Sequence, residues 1–545
     1  MNYIELFAGC GGLSLGMQQA GFKLLFANEL SPMAAETYSY NLLDEDLQKL
    51  AESQSEPLKT LWLNSKYSSL KQRLRENPFE FPAFDEEGFS NFPYSKPDEL
   101  KGKLVVGSII ELNRLLESNS EIRELISSGF DGSGVDVVSG GPPCQSFSMA
   151  GLRNKNCDKN LLPWEFAKFV SYIKPKVVLL ENVTGILRAF KGDDGSKFYA
   201  WFEVAKTFAA IGYVPICLQV NAKFVGVPQN RPRFIMIAIR RDLFEDLAKA
   251  MGGQNLLINN SESFFKLVSN QFVQPEYGSL LCYDITKSAH RDVFEKSFLA
   301  PLTKGEIASA RQALDDLKFT NPSPASGYVR LLNKTFNGPH SDKKISNHEP
   351  RSNSDMVKRR FRIYQVLQKV ESKNATKQIL DVMKGNKEFV DDECWSAVNK
   401  FDFLNYSNQL ERFHDKETFE LYLLKHQTKK HSQKAILPDS PAPAALSIPD
   451  DGCHYDENEL RVFSVREMAR IQSFPDNFIF RSKVTTGGKM RRFEIPQYTQ
   501  VGNAVPPFLG LALGKVCNQL LKFEQVNYVP SDTALKTVKG FLSRG

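Results

Sequence analysis

The chain has 545 residues, of which 42% are apolar and 24% charged, the balance of a globular protein too long for a single hydrophobic core. No apolar run approaches the roughly 20 residues of a membrane helix, and Met1-Asn2-Tyr3-Ile4-Glu5 lacks the basic-then-apolar pattern of a secretory signal. Basic residues outnumber acidic ones by 69 to 63, and a net charge of +6 does not by itself establish a nucleic-acid partner. The eight cysteines form no Cys-x-x-Cys pair and join no histidine at ligand spacing. That argues against zinc and against a disulfide framework, and the expected compartment is the reducing cytoplasm.

Along the first 245 residues, short apolar runs alternate with helical patterns. Strands are expected at Tyr3–Phe7, Lys23–Ala27, Val135–Ser139, Lys176–Leu180, Pro215–Val220 and Phe234–Ile239. Continuous apolar runs of this kind fit a parallel sheet covered on both faces, a doubly wound α/β domain.

The first strand ends in Ala8-Gly9-Cys10-Gly11-Gly12-Leu13 and a helical pattern follows. A glycine loop between strand and helix is the nucleotide-binding turn of open α/β sheets. It is not a strict G-x-G-x-x-G, because Ser14 occupies the third glycine position. About twenty residues on, Glu29 sits where a carboxylate holds ribose hydroxyls. A polar, aromatic-dotted stretch with Pro57, Pro78, Pro82, Pro93 and Pro97 then reads as an insertion over about residues 44–103.

The run Val135-Asp136-Val137-Val138 leads into Gly140-Gly141-Pro142-Pro143-Cys144-Gln145. Two prolines stiffen the turn and hold the thiol at its tip. Alone, this cysteine reads equally well as a buried structural residue. Lys176–Leu180 delivers Glu181-Asn182-Val183 at the carboxyl end of a strand. Ligands bind outside such ends, so Glu181 and Cys144 are expected to face one crevice. In Gln229-Asn230-Arg231-Pro232-Arg233 the two arginines, at i and i+2 of an extended segment, are expected to project to the same side.

From about Asp242 to Asp450 sheet periodicity fades, and the composition reads as a second domain containing a helix at Asp355–Val370. The clusters Lys358-Arg359-Arg360-Phe361-Arg362, Lys429-Lys430 and Lys489-Met490-Arg491-Arg492 suit either phosphates or a solvated surface. A proline-rich return segment, Pro438–Pro449, precedes a helical run at Val465–Gln472, a turn at Gln500–Pro507 and a closing helix at Phe508–Lys522.

Together these residues resemble the DNA cytosine-5 methyltransferase family, of prokaryotic type. The cofactor loop is similar to Phe7–Gly12 and the ribose-binding acid to Glu29. The nucleophile segment resembles Gly141 to Gln145 with Phe147, Ser148 and Gly151. Glu-Asn-Val is Glu181–Val183, and Gln-x-Arg-x-Arg is Gln229, Arg231 and Arg233. A late motif is matched by Arg461, Glu467, Arg470, Phe474, Pro475 and Asp476, and the last by Gln500, Gly502, Asn503, Val505 and Pro506. The matches cover about residues 1–43, 104–240 and 435–522, in family order. Two positions depart from the pattern. Glu5 replaces an aspartate, keeping charge with one more methylene of reach. Ser108 replaces an aspartate that accepts from the adenine amino group, and a hydroxyl is the weaker acceptor.

The resemblance implies a Rossmann-like α/β methyltransferase fold. Residues 1–244 would be the catalytic domain, 245–495 a smaller target-recognition region, and 496–545 a segment returning to the catalytic domain. It implies S-adenosylmethionine as methyl donor, no metal, and double-stranded DNA as substrate. A monomer is expected, and a cognate restriction endonuclease is left open. Cys144 would attack C6 of a flipped-out cytosine, with Glu181 on N3 and the exocyclic amine, and Arg233, supported by Arg231, on the carbonyl. Phe7, Gly9, Gly11, Gly12, Glu29, Ser108, Ile109, Pro143 and Asn503 would bind the donor. Ser148–Asn160, with Arg153, Lys155 and Lys159, reads as a lid over the base or as an ordinary loop. Region 242–450 would read flanking bases, with His340 and His348 structural or DNA-adjacent. Rival readings are an RNA cytosine-5 methyltransferase, a catalytically silent DNA-binding protein on the same scaffold, and, on the glycine loop alone, a nicotinamide-dependent dehydrogenase.

Overall fold

Nine strands form the central sheet of this computed structural model, which describes residues 1–143, 161–191, 197–252, 255–270, 275–336, 345–430, 433–444 and 452–523. In chain order they are β1 (Asn2–Leu6), β2 (Lys23–Glu29), β3 (Thr60–Trp62), β4 (Lys103–Val106), β5 (Val137–Gly140), β6 (Val177–Val183), β7 (Tyr213–Asn221), β8 (Pro232–Arg240) and β9 (Cys282–Asp284). Their spatial order is β9-β7-β8-β6-β5-β1-β2-β4-β3. From β1 the chain winds outward through β2 to β4, then returns to place β5 and β6 on the other side. The strand order therefore reverses between β1 and β5, the place where open α/β sheets bind ligands.

The six expected strands are present, each within a few residues of its expected bounds. Two of the sheet's features differ from expectation. β8 runs antiparallel to both β6 and β7, so the sheet is parallel only in its other pairings. The 44–103 insertion is not only loop, since Thr60–Trp62 extends the sheet edge by pairing with β4. The strand β4 is itself only four residues long, too short for its apolar run to stand out.

Helices cover both faces. Among them are α1 (Gly12–Gln19), α2 (Pro32–Leu42), α3 (Ile109–Ser118), α4 (Leu162–Ile173), α5 (Ala200–Ala210), α7 (Val465–Ile471), α8 (Gln497–Asn503) and α9 (Pro507–Leu521), while α6 (Asp355–Lys369) stands apart from the sheet's core. The start of α2 is set by Ser31, which caps Ala34 N–H, and by Pro32 in the first turn. In α7 the Ser464 and Glu467 side chains form a reciprocal capping box. The expected turn at Gln500–Pro507 proves to be partly helical, because Gln497–Asn503 completes α8 before Pro506 and Pro507 open α9. The closing helix α9 packs on the first helix: a Cβ on Gly16 would lie 2.4 Å from Gly510 C, and Asn518 donates to Ala20 O. Among the described residues no helix is long and apolar enough to cross a membrane.

Most of the sheet and its helices share one core, which also takes in Phe264, Leu314, Leu332, Phe474 and Phe478, while Ala27, Tyr38, Trp62, Leu104 and Val106 form a second cluster between α2 and the β2–β4–β3 edge. A separate hydrophobic cluster, from Phe361 to Val462, is built around α6 with Ile379, Phe403, Phe419 and Leu423. Here the basic run of α6 departs from a phosphate-facing surface. Arg359 donates to His426 Nε2, Arg360 to the carbonyls of His426 and Gln427, and Arg362 to Asp402 O and Glu457. Those three charges are spent on holding the cluster together.

Candidate active site

The chain leaves β1 through a turn in which alternate residues are left-handed, Phe7 (φ 55°), Gly9 (φ 57°) and Gly11 (φ 94°). Glu29, at the end of β2, binds this turn directly: Gly9 N–H donates to Oε2 and Ser31 N–H to Oε1, each at 2.8 Å. Burial raises the Glu29 pKa, opposed by these backbone bonds. A Cβ added to Gly9 would meet nothing within 4 Å, so the turn borders open space. Gly12 instead abuts Val505, whose carbonyl oxygen would lie 2.2 Å from an added Cβ.

Beneath the turn lies a buried polar cluster that sequence reasoning did not find. Tyr3 donates to Ser14 Oγ at 2.9 Å, Ser14 donates to Glu5 Oε2, and the Tyr38 hydroxyl lies 2.9 Å from Ser14 Oγ. Burial pushes the Glu5 carboxyl up to about 8, against the lowering effect of Ser14. Burial in this cluster therefore works against the charge that Glu5 would share with an aspartate. The available signal was Ser14 itself, a hydroxyl where a third glycine is expected.

Ser108 caps α3, its Oγ accepting from Ile110 N–H at 3.2 Å. Ile109 is buried in the first turn of that helix. On the other side of β1, Glu181 at the end of β6 meets Arg233 at the start of β8, with Nε and Oε1 2.8 Å apart and both residues buried. Next to Glu181, Asn182 donates to Pro142 O at 3.0 Å, and a Cβ on Gly141 would lie 3.0 Å from Glu181 Oε2. The carboxylate thus stands directly against the Gly-Pro-Pro turn. Pro143 is exposed. Cys144, Gln145, Phe147, Ser148 and Gly151, and with them the 148–160 loop bearing Arg153, Lys155 and Lys159, lie outside the described residues, as does His340.

Arg231, just before β8, and Arg233, within it, do not share one target. Arg231 is buried, and its Nη2 donates to Gly502 O and Ala504 O, each at 2.9 Å. It ties β8 to the turn after α8, while Arg233 faces Glu181. Asn503 lies between those two carbonyls and is exposed. Gln500 anchors the same helix by donating to Met33 O and Ile495 O while accepting from Thr37 Oγ1. Within the late motif, Arg461 makes a two-pronged pair with Glu467, and Arg470 pairs with Asp316 and Asp476. These buried pairs hold residues 461–476 rather than reach into the crevice. His348 is structural too, bonded to Ser464 Oγ and Leu317 O and stacked on Phe319.

A glycine turn, an acid at the end of β2 and a carboxylate–arginine pair beside a Pro-Pro turn all lie at the carboxyl edge of a doubly wound sheet, where such sheets bind ligands. The chain belongs to the C-5 cytosine-specific DNA methylase family, whose model matches residues 1–61 and 110–519. It is 24% identical to the type II methyltransferase M.DdeI of Desulfomicrobium norvegicum over all of this chain and 95% of that one. It is likewise 24% identical to M.AgeI of Thalassovita gelatinovora, over 94% of this chain and 98% of the other. Among solved structures, the S. pombe Dnmt2 methyltransferase aligns over 96% of this chain and 98% of its own, with 13% identity and a TM-score of 0.40.

Proposed function

We propose that this methyltransferase transfers the methyl group of S-adenosylmethionine to C5 of a cytosine flipped out of duplex DNA. The observation that carries the reading is the Glu181–Arg233 pair set against the Gly141-Pro142 turn at the carboxyl edge of the sheet. The residues also fit the donor. Open space in front of Gly9 and a carboxylate already oriented by two backbone N–H groups suit a ribose. Phe7, Gly9, Gly11, Gly12, Glu29, Ser108, Ile109, Pro143 and Asn503 would hold it. When bound, S-adenosylmethionine supplies an electrophilic methyl group on its sulfonium.

The chain's own groups supply the rest. Cys144, presented by the Pro-Pro turn, adds as a thiolate to C6, forming the S–C6 bond and leaving C5 electron-rich. Glu181, set at the ring edge, holds N3 and the exocyclic amine and so offsets the charge that attack creates. Arg233 fixes the Glu181 carboxylate and presents its remaining N–H groups to the cytosine carbonyl. Arg231 acts one step removed, by holding the Gly502–Ala504 turn. Once C5 carries the methyl group, water acting as base takes the C5 proton, which re-forms the C5–C6 double bond and expels the Cys144 thiolate. Because the target atoms are buried in a duplex, the base must leave the stack first. The separate cluster built on α6 is the part we assign to contacts with flanking DNA.

The test is covalent trapping on duplex DNA carrying 5-fluorocytosine. A stable protein–DNA adduct is expected with the intact chain and none with Cys144→Ser; an adduct retained by that variant would overturn the mechanism.

A further inference from the structure

Unlike the basic run of α6, the cluster at residues 489–492 keeps its charges free of carboxylates among the described residues. Lys489, Arg491 and Arg492 are exposed on a short turn, Gly488–Arg492. Arg491 donates only to Thr486 O, and no carboxylate faces any of the three among the described residues. The acids at the base of the loop are already taken: Glu494 by Lys483 and Thr486, Glu36 by Arg75 and Ser482 N–H. Three positive charges therefore remain unneutralised.

Their place in the fold follows from the path of the chain. Ile479 N–H donates to Asn41, Arg481 N–H to Thr37 and Ser482 N–H to Glu36, so the segment climbs α2 from its end toward its start. On the return leg, Ile495 O shares the Gln500 amide with Met33 O in the first turn of α2. The loop base thus flanks the residues that directly follow Glu29, on the carboxyl edge of the sheet where the crevice opens. Salt bridges and the α2 contacts fix both legs, which leaves the cationic tip presented outward.

We propose that Lys489, Arg491 and Arg492 form a sequence-independent clamp on the phosphodiester backbone of the DNA substrate, separate from any base-reading surface. This rests on the reading of the protein as a DNA methyltransferase and specifies how that substrate is gripped. A backbone contact contributes affinity and salt dependence without sequence information.

The experiment measures binding to duplex DNA against salt concentration for the full chain, for Lys489→Gln/Arg491→Gln/Arg492→Gln, and for Lys96→Gln/Lys266→Gln/Lys296→Gln. The control triple removes the same net charge from residues paired with Glu99, Glu262 and Asp292. Neutralising the loop should lower the slope of log K against log salt by about 2–3, close to 0.9 for each phosphate that the loop no longer neutralises. S-adenosylmethionine affinity and the preferred DNA sequence should not change, and the control should keep the original slope. Equal slopes for the loop variant and the intact chain overturn the clamp, as does an equal drop in the control. Failure of the intact chain to methylate any DNA is a different result, and it counts against the proposed function instead.

Discussion

Glu181 and Arg233 are 52 residues apart in sequence, yet Nε and Oε1 lie 2.8 Å apart because β6 and β8 run antiparallel with Val183 opposite Arg233. Glu181 is then two residues along on the same face, the diagonal neighbour that a long side chain reaches. The geometry separates a structural from a chemical role. Glu181→Gln should leave a buried arginine without its counter-charge, at a cost of about 3–5 kcal/mol in stability. It should also lower methyl transfer by about 10²- to 10⁴-fold, the usual contribution of a positioned acid. Adding Arg233→Met should restore much of the stability, because both charges are then gone, and none of the activity. Chemical denaturation beside a methyl-transfer assay checks both, and activity that returned with stability would mean the pair is only a strut.

Glu5 makes stability depend on pH. Its ordinary value is 4.5, and burial in the fold raises it to about 8. Between those values the folded chain holds a proton that the unfolded chain has released. The contribution is therefore full below pH 4.5 and is lost as the pH rises through about 8, at up to about 1.4 kcal/mol per unit. Glu5→Gln keeps a neutral side chain able to accept from Ser14, and should flatten this part of the profile. Melting temperatures from pH 5 to 9 for both proteins decide it; parallel curves would mean that Glu5 is ionised throughout.

What was legible in the sequence was what depends on neighbours along the chain. Six strands, α6, α7 and α9 announce themselves by period and caps, and Glu181 could be set beside the Pro-Pro turn because both follow strand ends. Arg231 shows where that stops. Its partners are carbonyls 271 and 273 residues away, and no pattern within Gln229–Arg233 distinguishes a residue aimed at a crevice from one aimed at the turn of the last motif. The same holds for Arg359, Arg360 and Arg362. A run of cations looks like a surface until the fold brings His426, Asp402 and Glu457 to meet it. The Thr60–Trp62 strand was hidden because three residues of edge pairing inside a proline-dotted insertion carry almost no periodicity.

Arg231 should accordingly behave as a positioning residue. Arg231→Met would leave the Gly502 and Ala504 carbonyls without their donor, and bonds to a charged group are worth about 1.5–3 kcal/mol each. Amide hydrogen exchange of Gly502–Val505 is expected to accelerate, and the Michaelis constant for S-adenosylmethionine to rise, because Val505 abuts Gly12 of the donor turn. Arg231→Lys should recover part of both effects. Exchange unchanged in the methionine variant would show that the turn is held by other contacts.

The glycines near α1 divide by what lies in front of them. Gly9 has a left-handed backbone and open space, whereas Gly16 faces the backbone of α9, with Gly510 C and Leu511 N each 2.4 Å from an added Cβ. Gly16→Ala must therefore force two helices apart, an overpacking that costs about 1–3 kcal/mol. Its signature is a lower melting temperature with donor affinity little changed in the molecules still folded. Gly9→Ala should cost about 1–2 kcal/mol for the left-handed conformation, yet place a methyl group where the donor would lie. Its larger effect should be on S-adenosylmethionine binding, by tenfold or more in calorimetric titration, with full occupancy at saturation. If Gly9→Ala bound the donor as tightly as the intact chain, the open space before this turn would not be the donor site.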